Sequence, residues 1–295
     1  MPEVKKIAVV GLGQMGRGIA RNLDAKGMVC AAFDTAPGAF EAAMLSERVN
    51  EVDAGTLFDR ADIALFAVPS TVEVEAVLAG SGRRPGTTIV DLTTSDPVRS
   101  RGLARELASR GIAYVDAAMT GGASGADAGT LTLMVGGEAD HVTACRPVLE
   151  AISSQIFHLG PVGAGHAMKL VHNMILHTSF LATCEGLRLA ERAGLDPVRA
   201  VEVLNAGNAR SFVTEVRFPR DILSGSMTAR SHISNLEKDL GLAEKFAADL
   251  SARIPFGTMT HEMLAKALAA GHSDTDFSWL FPLYEDIADQ LGDGS

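Results

Sequence analysis

The stretch Ile7-Ala8-Val9-Val10-Gly11-Leu12-Gly13-Gln14-Met15-Gly16 decides the fold. Four apolar residues of strand character run straight into a G-x-G-x-x-G turn, and a helical pattern follows over Arg17–Lys26. In such a turn the first glycine permits the tight bend, the second lets backbone approach a pyrophosphate, and the third allows the helix to pack close on the strand. Phosphates then meet free N–H groups and the positive dipole end at the start of a helix. Glycine turns are common between strands and helices, so the motif is weighed with its surroundings. Asp34 supplies the other half of the signature. It follows the next strand-like run, Val29–Phe33, close to the roughly 20-residue offset of the acid that hydrogen-bonds an adenosine ribose. A carboxylate there repels a 2′-phosphate, and no arginine follows in Asp34-Thr35-Ala36-Pro37, which points to NAD, with NADP less favoured.

Outward from this turn, short apolar runs alternate with helical patterns. Ile63–Val68, Thr88–Val90, Ala113–Val115, Leu131–Val135 and Ile156–His158 are predicted strands, and Asp140–Ile152 a predicted helix, in the βαβ rhythm of a parallel sheet. After Gly165 the strand signals stop. No proline falls between Gly165 and Leu195, and Leu170, Met174, Leu181, Leu187 and Leu189 recur at mixed three- and four-residue steps. That predicts a single helix of about 30 residues, ~45 Å long. Its apolar character around much of the circumference predicts burial on several sides. Helical patterns continue at Asp196–Asn205, Leu236–Leu250 and Thr258–Ala270. The expected fold is α/β: an N-terminal Rossmann doubly wound sheet over residues 1–162, joined by the long interdomain helix to an all-α C-terminal domain for substrate and oligomerisation over residues 163–295. The tail Gly292–Ser295 is expected to fray.

Bulk properties narrow the function. A chain of 295 residues suits two domains, because single cores stop growing near roughly 250–300 residues. The net charge of -10 argues against nucleic acid, while leaving room for an anionic substrate that answers to the local field of its cleft. Three scattered cysteines are too few for a disulfide framework or a zinc cluster and suit a reducing cytoplasm. The stretch Met1–Lys6 leads into an apolar run too short for a signal peptide, and no run approaches the roughly 18 residues of a spanning helix, so neither export nor membrane insertion is expected.

Further motifs carry candidate chemistry. Val68-Pro69-Ser70 and Asp91-Leu92-Thr93-Thr94 would reach the crevice at the carboxyl ends of the strands, or are ordinary polar turns. In Asp116–Ala126 glycines crowd behind Thr120, as in a segment whose N–H groups and hydroxyl hold a carboxylate, or in a flexible loop between strands. Lys169 and Asn173, four apart near the start of the long helix, share a face and set an ammonium and an amide over one ligand, although a helix lysine is more often a solvated surface group. Lys238-Asp239 precedes another helical run, with a surface ion pair as the alternative. No His, Asp or Glu cluster with ligand spacing accompanies these motifs, so no metal is expected.

Taken together, Gly11–Gly16, Thr120-Gly121-Gly122 with Gly129–Gly137, Gly163-Ala164-Gly165 leading to Lys169 and Asn173, and Lys238-Asp239-Leu240 resemble the 3-hydroxyisobutyrate dehydrogenase family over almost the whole chain. This β-hydroxyacid dehydrogenase family also includes tartronate semialdehyde and glyoxylate/succinic semialdehyde reductases. The resemblance implies hydride transfer between nicotinamide and the 3-hydroxyl carbon of a small 3-hydroxy acid. It also implies Lys169 as catalytic lysine, Asn173 as its partner, and Thr120-Gly121-Gly122 as the clamp for the substrate carboxylate. Lys238 would close over cofactor and substrate, Thr94 and the Val68-Pro69 segment would border the nicotinamide ribose, and the chain would form dimers or tetramers. Oxidising an alcohol requires a group that accepts the hydroxyl proton or stabilises the developing oxyanion, and a lysine does either. Burial and Lys238 lower its pKa while a bound carboxylate raises it, which leaves its resting charge open.

Three positions depart from the family pattern: Thr120 where serine is usual, Ala118 where proline is usual, and His172 where asparagine often stands. His172 is either a satisfied helix histidine or a contact to an extra polar group of the substrate. His232, His272 and Trp279 are further candidates for the pocket wall. The alternatives are an imine reductase on a similar fold, whose members usually lack the lysine that Lys169 retains, a semialdehyde reductase, and a non-catalytic dinucleotide-binding protein.

Overall fold

Eight strands form one sheet: β1 (Ile7–Val10), β2 (Val29–Phe33), β3 (Asn50–Glu51), β4 (Ile63–Phe66), β5 (Thr88–Asp91), β6 (Ala113–Thr120), β7 (Leu131–Gly136) and β8 (Ser153–Gly160). The order is β3-β2-β1-β4-β5-β6-β7-β8, parallel throughout except for the antiparallel pair β6 and β7. Both faces are covered. Ile7, Val9, Ile63, Leu65, Val90 and Val115 enter one apolar layer, and Ala8, Val10, Ala64, Phe66, Ile89 and Tyr114 enter the other. This alternation is the two-residue period of a strand buried on both sides, and it explains why the runs read as continuously apolar. The layers are completed by α1 (Gln14–Ala25), α2 (Ala39–Ala43), α3 (Thr71–Ala79), α4 (Pro97–Ala108), α5 (Gly122–Ala128) and α6 (Ala139–Ile152). The chain order reverses between β1 and β4, and an open α/β sheet has its ligand crevice beyond the carboxyl ends of the strands at that point.

The computed structural model describes residues 6–82 and 84–292. The expectations placed on Met1–Lys5 and on residues 293–295 lie outside the described residues. Two compact units are distinguished, Met1–Lys169 and Leu170–Ser295. They are covalently joined within the long helix α7 (Ala164–Arg192), six residues into it.

The second unit continues with α8 (Pro197–Ala206), a π-helix (Val213–Leu223), α9 (Ile233–Asp249), α10 (Pro255–Ala269), a 3-10 turn (Phe277–Leu280) and α11 (Tyr284–Gly292). Its core is aromatic. The rings of Phe180 and Phe277 meet edge-on at 5.1 Å, and those of Phe218 and Phe281 at 5.3 Å, arrangements favoured by the ring quadrupoles. The π-helix contains Pro219, which has no N–H to offer the carbonyl five residues back, at Thr214. Asn205 supplies the missing donor: its Nδ2 donates to Thr214 O at 3.0 Å.

Two expectations need correcting. Asp116–Thr120 lies in β6 rather than in a loop, because these residues pair with Gly136–Thr132 of β7, and the segment after it folds as α5. Lys238-Asp239 lies inside α9 rather than ahead of a helix, since Ile233 and Leu236 already turn toward the core. Asp91 closes β5, at the strand end where its segment was expected. On α7, Leu170, Phe180, Leu181 and Leu187 are buried, while Met168, Val171 and Ile175 are exposed at 38 %, 40 % and 59 %. Periodicity locates apolar faces but does not say which face finds a partner within the chain.

Candidate active site

In the first unit, the predicted cofactor residues gather at the sheet's switch point. Gly11 follows β1 with φ +88°, and a Cβ there would stand 2.5 Å from Ala67 O, so neither conformation nor space admits a side chain. A Cβ on Gly16 would overlap the carbonyl of Gly11. Gly13 differs. A Cβ on it would meet nothing within 4 Å, so nothing within the chain requires a glycine there. An external group passing close to backbone at the start of α1 accounts for it, which is the fit expected of a dinucleotide pyrophosphate. Leu12 lies buried between these glycines, and Gln14 and Met15 open α1.

Asp34 stands just beyond β2. Its Oδ2 accepts from Leu12 N at 2.6 Å and its Oδ1 from Ala36 N at 2.8 Å. The carboxylate is thereby tied to the glycine turn itself. Val68 and Pro69 follow β4, and Thr94 follows β5, at the same carboxyl edge. Thr120 is the last residue of β6, with Gly121 and Gly122 beyond it at φ +125° and +65°.

Lys169 is the sixth residue of α7 and only 8 % exposed, unusual for a lysine and unlike a solvated surface group. Since α7 is continuous, Lys169 and Asn173 project from the same face, one turn apart.

The second unit holds a buried polar chain that the sequence reading named only in part. Asn173, 5 % exposed, donates from Nδ2 to Asp239 Oδ2 at 2.6 Å and meets His172 Nδ1 through its Oδ1 at 2.9 Å. Lys238 Nζ lies 3.3 Å from Asp239 Oδ1, and His177 Nε2 lies 3.8 Å from Asp239 Oδ2. Asp239 therefore organises Asn173, Lys238 and His177 together. The orientation of the Asn173 amide is set by Asp239 and His172. His232 is the exposed N-cap residue of α9, His272 follows α10, and Trp279 is 44 % exposed in the 3-10 turn. Among the described residues, no group of three or more His, Cys, Asp or Glu side chains could hold a metal ion, and no helix is long and apolar enough to cross a membrane.

Not foreseen was the joining of Asp91 and Asp116, each in a segment already singled out, with Ser100 and His166 in a second buried cluster of the first unit, all at 0 % exposure. One signal was available. Two acids directly follow strand valines, as Val90-Asp91 and Val115-Asp116, and a buried carboxylate requires partners.

Comparison with known proteins agrees with this fold. Residues 6–160 match the family model described as the NAD binding domain of 6-phosphogluconate dehydrogenase, and residues 163–284 the one described as NAD-binding of NADP-dependent 3-hydroxyisobutyrate dehydrogenase. The chain is 32% identical over 292 residues to 2-(hydroxymethyl)glutarate dehydrogenase of Eubacterium barkeri, covering 96% of this chain and 95% of that one. It is 30% identical over 293 residues to the NAD-dependent L-serine dehydrogenase of Pseudomonas aeruginosa, covering 96% and 98% of the two chains. A solved structure of Mycobacterium tuberculosis 3-hydroxyisobutyrate dehydrogenase with L-serine matches with a TM-score of 0.86 at 31% identity, over 95% of this chain and 99% of that one. The chain belongs to the 3-hydroxyisobutyrate dehydrogenase, or β-hydroxyacid dehydrogenase, family of NAD(P)-dependent enzymes that act on hydroxyl groups.

Proposed function

We propose that the chain oxidises the hydroxyl-bearing carbon of a small 3-hydroxy acid with NAD, using Lys169 for proton transfer. The observation that carries this reading is a lysine 8 % exposed on α7, sharing a helix face with an amide that is buried and held by Asp239. When bound, the nicotinamide supplies the acceptor for the hydride that leaves the carbon as its C–H bond breaks. Lys169 Nζ takes the hydroxyl proton as the carbonyl forms, and returns it in the reverse direction. Thr120-Gly121-Gly122 and Asn173 orient the substrate, and Lys238 contacts cofactor and substrate. Gly11–Gly16, Asp34, Val68, Pro69 and Thr94 hold the dinucleotide. The carboxylate of Asp34 favours NAD over NADP, since a 2′-phosphate would face a negative charge anchored to two backbone N–H groups.

The names of the relatives suggest the substrate class. 3-Hydroxyisobutyrate, L-serine and 2-(hydroxymethyl)glutarate share a primary alcohol two carbons from a carboxylate and differ in what carbon 2 carries: methyl, ammonium or carboxyethyl. For this chain we propose the same 2-substituted 3-hydroxypropanoate frame. His172 is a candidate reader of the carbon-2 group, and exchanging His172 for Asn should re-rank these three acids if it reads that group, while an unchanged ranking makes it a helix histidine only.

The main test measures NAD reduction with the three acids. Lys169→Ala should lower kcat by about 10²–10⁴-fold, the usual scale of positioned acid–base catalysis, with NAD affinity nearly intact. Turnover that survives the change would refute the assignment. A homodimer or homotetramer in the cytoplasm completes the proposal. The exposed stripe Met168, Val171 and Ile175 supports assembly, and sedimentation equilibrium gives the number of chains.

A further inference from the structure

The first turn of α7 is pinned to the sheet by a buried polar network. Asp116 of β6 receives Gly163 N at 2.7 Å on Oδ1 and His166 N at 2.9 Å on Oδ2, capping the helix from a neighbouring strand. The His166 ring is fully buried. Its Nδ1 pairs with Ser100 Oγ of α4 at 2.8 Å, while its Nε2 stands 3.8 Å from Asp91 Oδ1 and has no hydrogen-bond partner. Asp91 in turn accepts from Thr93 N at 2.9 Å and Tyr114 Oη at 2.5 Å, and faces Thr71 Oγ1 at 3.5 Å. Burial, and then the Asp91 carboxylate, push the Tyr114 phenol well above its ordinary value, so it remains a donor. Thr71 N donates to Ser95 Oγ. The network thus joins the start of α7 to the two strand-end segments, 68–71 and 93–95, that flank the expected nicotinamide position.

A polar cluster of this size is more than the helix needs for its own start, since Asp116 already satisfies two of its first N–H groups. What the His166 ring adds is lateral: a link from α7 to α4 through Ser100 and toward the end of β5 through Asp91. Lys169 follows three residues later and shares that side of the helix.

We propose that His166 is a positioning residue for the reaction, fixing the first turn of α7, and with it Lys169, against the segments that border the nicotinamide. The proposal rests on the reading of Lys169 as the proton-transfer group. His166→Phe keeps a ring and removes both nitrogens. Its kcat should fall about 100-fold, the scale of an ångström's misplacement, with KM and NAD affinity held within about threefold. The kinetic isotope effect on kcat with substrate deuterated at carbon 3 should rise as the chemical step becomes limiting, and His166→Asn, which keeps a polar atom toward Ser100, should recover about tenfold. Ser100→Ala should reproduce part of the loss and decides the matter if His166→Phe does not fold. Parent-like kcat in these variants, or a loss of kcat only in step with NAD affinity, overturns the proposal. Lys169→Ala run alongside separates the two ideas. Its retained activity would remove the Lys169 reading, whereas its inactivity beside active His166→Phe and Ser100→Ala would remove the positioning role alone.

Discussion

Asp34 shows how much one carboxylate can decide. Because Leu12 N and Ala36 N both bind it, the side chain is fixed before any ligand arrives, and its remaining lone pairs are available to ribose hydroxyls. Asp34→Ala should weaken NAD binding about 10–100-fold, as expected for hydrogen bonds to a charged group, and lower the NAD-to-NADP ratio of kcat/KM. A ratio that stays constant would mean that the carboxylate supports the turn and does not choose the cofactor. This residue was legible in the sequence because the spacing between the glycine turn and the second strand end is short and fixed by the βαβ unit. The pairing of Asp116 with the start of α7, and of His166 with Ser100, was not legible. Asp116 finds its N–H partners 47 and 50 positions away, and His166 finds Ser100 at a separation of 66, so no local pattern announces the pairing.

The π-helix poses a separate problem, that of a wide helix with a proline inside it. Asn205 answers it by donating to the carbonyl that Pro219 leaves unserved. Asn205→Leu should therefore destabilise the fold by about 1–3 kcal/mol, the cost of a buried carbonyl without a donor, and urea unfolding followed by circular dichroism measures it. An unchanged midpoint would show that water serves the carbonyl equally well. Sequence periodicity does not tell a π-helix from an α-helix, and Val213–Leu223 was not among the predicted helices. The same limit hid the full length of β6, where Ala117 and Ala118 are buried but too small to make a strand-like apolar run, and α5, whose Gly122 and Gly125 read as loop. By contrast, β1, β2, α6 and α7 were read within a few residues of their bounds, because each combines a clear period with a glycine, proline or acidic boundary.

At the scale of the molecule, each unit carries a carboxylate that hydrogen bonds hold below its ordinary pKa, Asp53 in the first and Asp276 in the second. In the second, Asp276 joins the segment before α9 to the 3-10 turn, accepting from Ala229 N, Arg230 N, Ser278 N and Ser278 Oγ. Burial raises its pKa, but the Ser278, Ala229 and Arg230 hydrogen bonds together outweigh this and hold it below the ordinary value of 3.8. A depressed folded pKa contributes stability above the unfolded value, and that contribution is lost as pH falls toward the folded one. Asp276→Asn should thus lower stability at neutral pH and flatten its decline below about pH 4, while a parallel decline would assign acid sensitivity elsewhere. A different consequence follows from the glycines at the start of α7. A Cβ on Gly165 would overlap the carbonyl of Met134, and one on Gly136 would stand 2.8 Å from Ala164 N, so main chain rests on main chain where this helix leaves the sheet. Such a joint requires glycine at both positions, and the His166 network adds to it from the side. If the proposed roles hold, exchanges at Thr120, Ala118 and His172 should change the choice of hydroxy acid while leaving this main-chain seat in place, and substrate profiles of such variants measure it.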